Sequence, residues 1–181
     1  MLNADGERRM TLVMRWCDSS VSPELLAQFF VRHVGPDYVS HEEILSGRAH
    51  PDRTWSTKLA SVVGDEFSSA LFPQSAQLPH QTRAFAGYDD SELVCVGLIR
   101  FEFIESGPYA VIEDLVVHSA KRAAKYGTQA LAWVEGSICE FGIATLFCET
   151  GIGNSIAQKF FRRRGFRPVS VVLLKRLPSP L

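Results

Sequence analysis

The sequence predicts an α+β fold, an α/β/α sandwich in which helices flank a central mixed, mostly antiparallel sheet. Three observations carry this. The 181 residues fit a single domain, since ordinary domains hold roughly 100–200 residues. The composition is 46% hydrophobic with 12 phenylalanines and 3 tryptophans, enough large side chains to fill a core. The segments run as a strand and helices, then an antiparallel meander, then a βαβαβ tail, an order that argues for a central mixed sheet.

The first ten residues, "MLNADGERRM", are polar and read as a flexible arm before a domain spanning 11–177, with 178–181 as a terminal tail. In "TLVMRWC" the alternation of Leu12, Met14 and Trp16 marks a strand. "SPELLAQFFVRHV" reads as a helix with Ser22 as N-cap, Pro23 at the first helical position and an apolar stripe at Leu25, Leu26, Phe29 and Phe30. A short helix around "HEEIL" and a longer one around "WSTKLASVVGDEFSSALF" follow, then a loop at "PQSAQLP". The strands "TRAFAGYD" and "ELVCVGLIRFEFIE" are separated by the turn residues Asp89, Asp90 and Ser91. After a break at "SGP" come the strand "YAVIEDLVV", a helix from about Gly127 to Phe141, the strand "ATLFCE", a helix from about Ser155 to Arg163, and a last strand "FRPVSVVLLKRL". If exposed, that last strand offers an edge on which a second subunit can pair as a homodimer.

Charge and cysteine usage exclude several classes. Lys plus Arg number 19 against 20 for Asp plus Glu, so no global field holds nucleic acid or an anionic membrane, and any phosphate binding is local. Cys17, Cys95, Cys139 and Cys148 lie far apart with no CxxC or HExxH spacing, so no metal site is expected. With no targeting pattern and no apolar run of transmembrane length, the expectation is a cytoplasmic protein with reduced thiols.

The positive charge clusters in "AKRAAK" and "KFFRRRGFR". The second reads as a solvated helix face. The first lies where a strand hands over to a helix, and a helix start leaves its first four N–H groups without intrahelical partners. Those amides and the helix dipole form an anion site, to which Arg122 and Lys125 add charge and Gly127 a backbone without Cβ. The Rossmann and P-loop alternatives fail, because neither GxGxxG nor GKS/GKT occurs.

The stretch from Tyr109 to Leu177 resembles the GCN5-related N-acetyltransferase superfamily. In that family a strand ending in LxV precedes a Q/R-x-x-G-x-G/A turn whose amides hold the pyrophosphate of acetyl-CoA. Arg122 matches the first position, Lys125 stands where the first glycine is usual, and Gly127 matches the last. Asn154, Ala157, Phe160-Phe161 and Gly165-Phe166 follow at the family spacing. The resemblance implies acetyl-CoA as co-substrate, held by the backbone of Leu115, Val116 and Val117, by Arg122, Lys125, Tyr126, Gly127 and Thr128 at the turn, and by Asn154 and Phe161 further on. A competing role for Asn154 is the N-cap of the helix at Ser155.

Transfer to an amine needs a base, a polarised thioester and a departing thiolate. Strict strand alternation puts Glu113 and Asp114 on opposite faces and Glu113 beside Val111, Leu115 and Val117, apolar company that raises a carboxylate pKa. The "YxxEDLxV" context is similar to that of polyamine acetyltransferases, which makes Glu113 the candidate base. The alternative is an ion pair with an arginine such as Arg100. The family's usual tyrosine acid is replaced by Phe161, so Tyr126 or Tyr109 substitutes, or the thiolate leaves unassisted. Cys148 as a covalent nucleophile is disfavoured, buried cysteines being mostly inert. His118 alone among the histidines adjoins the site, with His33, His41, His50 and His80 read as surface or loop residues. The tryptophans Trp16, Trp55 and Trp133 read as core.

The implied activity is acetyl transfer from acetyl-CoA directly to a primary amine of a small molecule, with no nucleic-acid or membrane partner. The alternatives are a silent acyl-CoA-binding regulatory module, which Phe161 favours, and a protein lysine or N-terminal acetyltransferase.

Overall fold

The computed structural model describes residues 12–71 and 80–177. The expected N-terminal arm, the loop at 73–79 and the tail at 178–181 lie outside the described residues. Strands β1 (Leu12–Trp16), β2 (His80–Asp89), β3 (Glu92–Ile104), β4 (Gly107–Val117) and β5 (Leu146–Cys148) lie side by side in sequence order. The first three pairings are antiparallel and β4–β5 is parallel. Helices α1 (Pro23–His33), α2 (His41–Leu45) and α3 (Leu59–Leu71) precede the meander, and α4 (Tyr126–Glu140) and α5 (Ser155–Arg162) follow it.

Local chemistry sets the boundaries. Leu25 N–H donates to Ser22 Oγ at 3.2 Å, capping α1, and Pro23 occupies its first turn. Leu26, Phe29 and Phe30 are buried as the stripe predicts, but Leu25 faces solvent. Ser40 and Glu43 close a capping box on α2. Asp90 and Ser91 both take positive φ, 48° and 69°, the hairpin geometry that matches the twist of paired strands.

Helices α1 and α3 pack on one face of the sheet against Ala84, Ala86, Val96 and Leu98. On the other face, the second core joins Phe85, Ile99, Phe101 and Ile112 of the sheet to Leu131 and Val134 of α4 and Phe161 of α5. Trp16 and Trp133 meet at 4.9 Å in that second core, and Trp55 packs against the first.

Two departures from the expected pattern matter. The β3–β4 register pairs Leu98 with Asp114 but Ile99 with Ile112, which leaves Glu113 as the extra residue of a β-bulge. Gly97 makes room beside it: a Cβ there would lie 2.2 Å from the Asp114 carbonyl oxygen. The expected last strand is not formed, since residues 167–177 have no regular secondary structure and are exposed throughout. Strand propensity alone forms no ladder without a neighbouring edge to supply hydrogen bonds. No helix among the described residues is long and apolar enough to cross a membrane.

Candidate active site

Strand β4 leads into a 3₁₀ turn at Ser119–Ala124, then Lys125 in the left-handed region (φ 62°, ψ 7°), then α4. A side chain in that region costs roughly 1–2 kcal/mol. No side chain caps α4, so its first amides have no partner of that kind. Arg122 Nη2 donates to the His33 carbonyl at 2.5 Å, laying the guanidinium against the C-terminal end of α1. Arg164 Nη2 donates to Thr128 Oγ1 at 2.5 Å, bringing a further cation to the turn. Sequence reasoning left Arg164 on a solvated helix face, and only the family spacing that folds α5 back onto this turn could have found it. A Cβ on Gly127 would meet Val117 and Phe160 at 3.6 and 3.7 Å, ordinary contact, so internal packing does not require a glycine there.

His33 is not a surface residue. It is buried, its ring lies 4.1 Å from that of His118, and its Nδ1 accepts from Ser119 N–H at 3.2 Å. Burial, and then the neighbouring His118, hold its pKa below the ordinary histidine value. A neutral ring thus ties α1 to the start of the 3₁₀ turn.

The other half of the site is built around the bulge. Because of the extra residue, Glu113 and Asp114 are not divided between opposite faces as strict alternation requires, and Leu115 packs with the α4 side of the sheet. Arg48, between α2 and α3, holds Asp114 with two bonds, Nη1 to Oδ1 at 3.0 Å and Nη2 to Oδ2 at 2.8 Å. Its Nε donates to Glu66 at 2.8 Å, Glu43 lies 3.7 Å from Nη1, and Tyr38 Oη donates to Asp114 Oδ1 at 2.8 Å. The Asp114 side chain is 0% exposed and that of Arg48 7%. Burial pulls the guanidinium pKa down, but Asp114 and Glu66 more than offset this and leave it raised. Arg48, Glu43 and Glu66 escaped the sequence reading because nothing in the chain's local pattern joins them.

Glu113 has a third of its side chain exposed and accepts from Arg100 Nε at 2.5 Å. Burial raises its pKa, and the Arg100 bond opposes but does not cancel that shift. Glu113 therefore combines the expected raised pKa with the alternative ion pair. Glu42 and Glu149 flank His41, whose Nδ1 lies 2.6 Å from Glu149 and Nε2 3.3 Å from Glu42, an arrangement of donors within 4.8 Å of one another that could hold a cation.

A cleft of about 480 Å³ joins the two halves. Glu113, Leu115, Val116, Val117, Arg122, Lys125, Gly127, Thr128, Asn154 and Phe161 all line it. Tyr126 is placed elsewhere: its ring is buried and its hydroxyl donates to Asp89 at 2.5 Å, toward the β2–β3 hairpin. As the first residue of α4, it points away from the cleft that its neighbours Lys125 and Gly127 line. Tyr109 packs edge-on against Phe147 at 5.5 Å in a separate hollow. Asn154 caps α5, its Oδ1 accepting from Ala157 N–H at 3.1 Å, while still lining the cleft. Burial pushes the Cys148 thiol up to about 12, too high for a ready thiolate.

A bulged strand running into an uncapped, cationic helix start, beside a parallel β4–β5 pair, is the architecture of the acyl-CoA-dependent acetyltransferases that the sequence resembles. The acetyltransferase (GNAT) family model matches residues 49–166, and the chain belongs to that family. No curated protein matches the sequence. Among solved structures it is similar to a transcriptional regulator from Bacillus halodurans C-125 (16% identity, 92% of this chain and 100% of that chain covered, TM-score 0.63). It is similar also to the aminoglycoside N-acetyltransferase AAC(6')-Iy in complex with CoA (18%, 94% and 97%, 0.60). A third is the aminoglycoside acetyltransferase meta-AAC0020 from an uncultured soil metagenomic sample, in complex with sisomicin (14%, 92% and 97%, 0.61).

Proposed function

We propose that the protein is an N-acetyltransferase that moves an acetyl group from acetyl-CoA directly to a primary amine of a small molecule. One observation carries this reading: a single cleft has cations and helix amides at one end and carboxylates, including the raised-pKa Glu113, at the other. The first end suits a diphosphate, the second a protonated amine.

In this scheme Arg122, Lys125 and the first amides of α4 hold the diphosphate, and the Leu115–Val117 backbone guides the pantetheine arm. The amine arrives as ammonium among Asp37, Glu42 and Glu149 and loses its proton, through water, to Glu113. The neutral nitrogen attacks the thioester carbonyl to form the C–N bond, the C–S bond breaks, the thiolate departs into the cationic half of the cleft, and the second nitrogen proton passes to water. Phe161 offers the thiolate no proton, so solvent supplies one after release. The aminoglycoside acetyltransferases among the similar structures support an amine acceptor.

A second reading is favoured by one feature, the absence of a tyrosine at Phe161 together with the engagement of Tyr126 by Asp89. It makes the protein an acyl-CoA-binding module without transfer. Calorimetric titration with acetyl-CoA, followed by a free-thiol assay across a panel of primary amines, separates the two. Binding with amine-dependent thiol release is the expected result. Binding without release by any amine would leave the module reading, and no binding by folded protein would remove both.

A further inference from the structure

We propose that Glu102 is a positioning residue: by holding one arm of the Arg100 guanidinium it confines that arginine to a single contact with Glu113, and so leaves the other Glu113 oxygen free to receive, through water, a proton of the acceptor amine. The inference rests on the acyl-transfer reading and adds to it a residue that the scheme above does not use.

The three side chains form a chain across two strands. Arg100 and Glu102 lie two apart on β3, so their side chains stand on one face of the sheet. Arg100 pairs across with Val111 and Glu102 with Tyr109, which puts Glu113 on the diagonal from Arg100, within reach of a long side chain. Arg100 Nε donates to Glu113 Oε1 at 2.5 Å, and its Nη1 donates to Glu102 Oε1. Glu113 Oε2 has no hydrogen bond among the described residues. Glu113 and Arg100 line the cleft, whereas Glu102 stands behind them, its side chain 15% exposed. A pair so shielded is screened less by salt than one on the open surface.

The neighbouring carboxylate shows what an arginine does with both arms free. Arg48 gives Asp114 two bonds, one to each oxygen, so neither oxygen is left to a ligand. Bidentate contact also favours the ionised form of a carboxylate more than a single bond does. Arg100 has the same planar fork, but Glu102 occupies one arm of it.

The other charges around Glu113 are fixed. Burial raises its pKa, Arg100 opposes that, Asp114 adds to it and Arg48 pulls the other way. Arg48 is itself committed to Asp114 and Glu66, and the remaining carboxylates of this half of the cleft, Glu43 and Glu149, are held by Arg48 and His41. Arg100 is the cation whose grip on Glu113 can change, and Glu102 sets that grip.

Glu102→Gln should let the guanidinium turn both arms onto Glu113. The acid limb of kcat/KM then moves to lower pH and the plateau above it falls about three- to tenfold, the effect of a weaker base, while the KM for acetyl-CoA keeps its wild-type value. Arg100→Gln should move the limb to higher pH. The deciding protein is the double variant: a residue that acts through Arg100 changes nothing once Arg100 is gone, so the pair should match Arg100→Gln alone. Carbon-13 NMR of the Glu113 carboxyl, identified by its loss in Glu113→Gln, follows the same titrations without turnover. A Glu113 titration unmoved by Glu102→Gln, or a shift that persists in the absence of Arg100, would overturn the proposal. NMR shifts as expected beside an unmoved pH limb would uphold the hold of Glu102 on Glu113 through Arg100 and reject only Glu113 as the base. Should Arg100→Gln fail to fold, Arg100→Met, which keeps the apolar stem, completes the cycle.

Discussion

The two ends of the cleft are built on opposite principles. The cationic end is local and wet: Arg122 and Lys125 are exposed, lie three residues apart and are presented by one turn. The carboxylate end is assembled and dry: Arg48 and Asp114 are buried, and the guanidinium holds carboxylates from β4 and α3 at once. A charge in water can be removed with little effect on the fold, whereas a buried one cannot lose its partner cheaply. Ligand affinity and fold stability should therefore separate along the cleft.

Breaking the buried end should have the largest effect. Arg48→Met leaves Asp114, Glu43 and part of Glu66 without their counter-ion, and we expect a loss of about 3–5 kcal/mol in urea unfolding at neutral pH. A loss below 1 kcal/mol would mean that the site relaxes or admits water, and the contrast between the two ends would collapse.

At the junction of the two halves, Glu113→Gln keeps shape and should leave stability nearly unchanged while lowering kcat by about 10²–10⁴-fold. On the proposed role for Glu113 the base works deprotonated, so activity should fall as pH drops through its pKa. Because burial raises that pKa, the acid limb of kcat/KM should lie above the ordinary carboxylate range and vanish in the glutamine variant. A limb that persists unchanged would assign the base elsewhere, with Glu66, also raised by burial, as the next candidate.

The same contrast explains what the sequence revealed. The basic turn could be placed at a helix start because Arg122 to Thr128 are contiguous, and its reading as a diphosphate site came from the family resemblance. The carboxylate end was not legible, because Arg48 meets Glu66 and Asp114 across separations of 18 and 66 residues. A single bulged residue at Glu113 also reverses the side-chain phase of β4, and alternation cannot show a bulge. The meander and helices were legible from turn and cap residues. The last segment was not: its apolar character was readable, but a strand exists only where an edge receives it.

At the cationic end, Arg122→Ala should leave the unfolding midpoint within about 0.5 kcal/mol of wild type, as exposed sites do. Affinity for acetyl-CoA should fall about 10–100-fold, the worth of a charge-assisted contact. Equal losses in stability and affinity would show that the bond to the His33 carbonyl is structural rather than a means of aiming the guanidinium.

Lys125 sets the smallest and most discriminating test, because two effects of one residue can be read separately. Its left-handed backbone costs roughly 1–2 kcal/mol, and Lys125→Gly removes that cost. Glycine also loses more chain entropy on folding, by roughly 0.5–1 kcal/mol, so stability should rise by at most about 1.5 kcal/mol. The charge is a different matter. If the ammonium serves the phosphates, Lys125→Gly and Lys125→Asn, which both tolerate positive φ, should weaken acetyl-CoA binding about three- to tenfold and flatten its dependence on salt. Lys125→Arg should bind like wild type. If all three variants bind equally, the side chain points into solvent, and the cationic end of the cleft reduces to Arg122, Arg164 and the amides of α4.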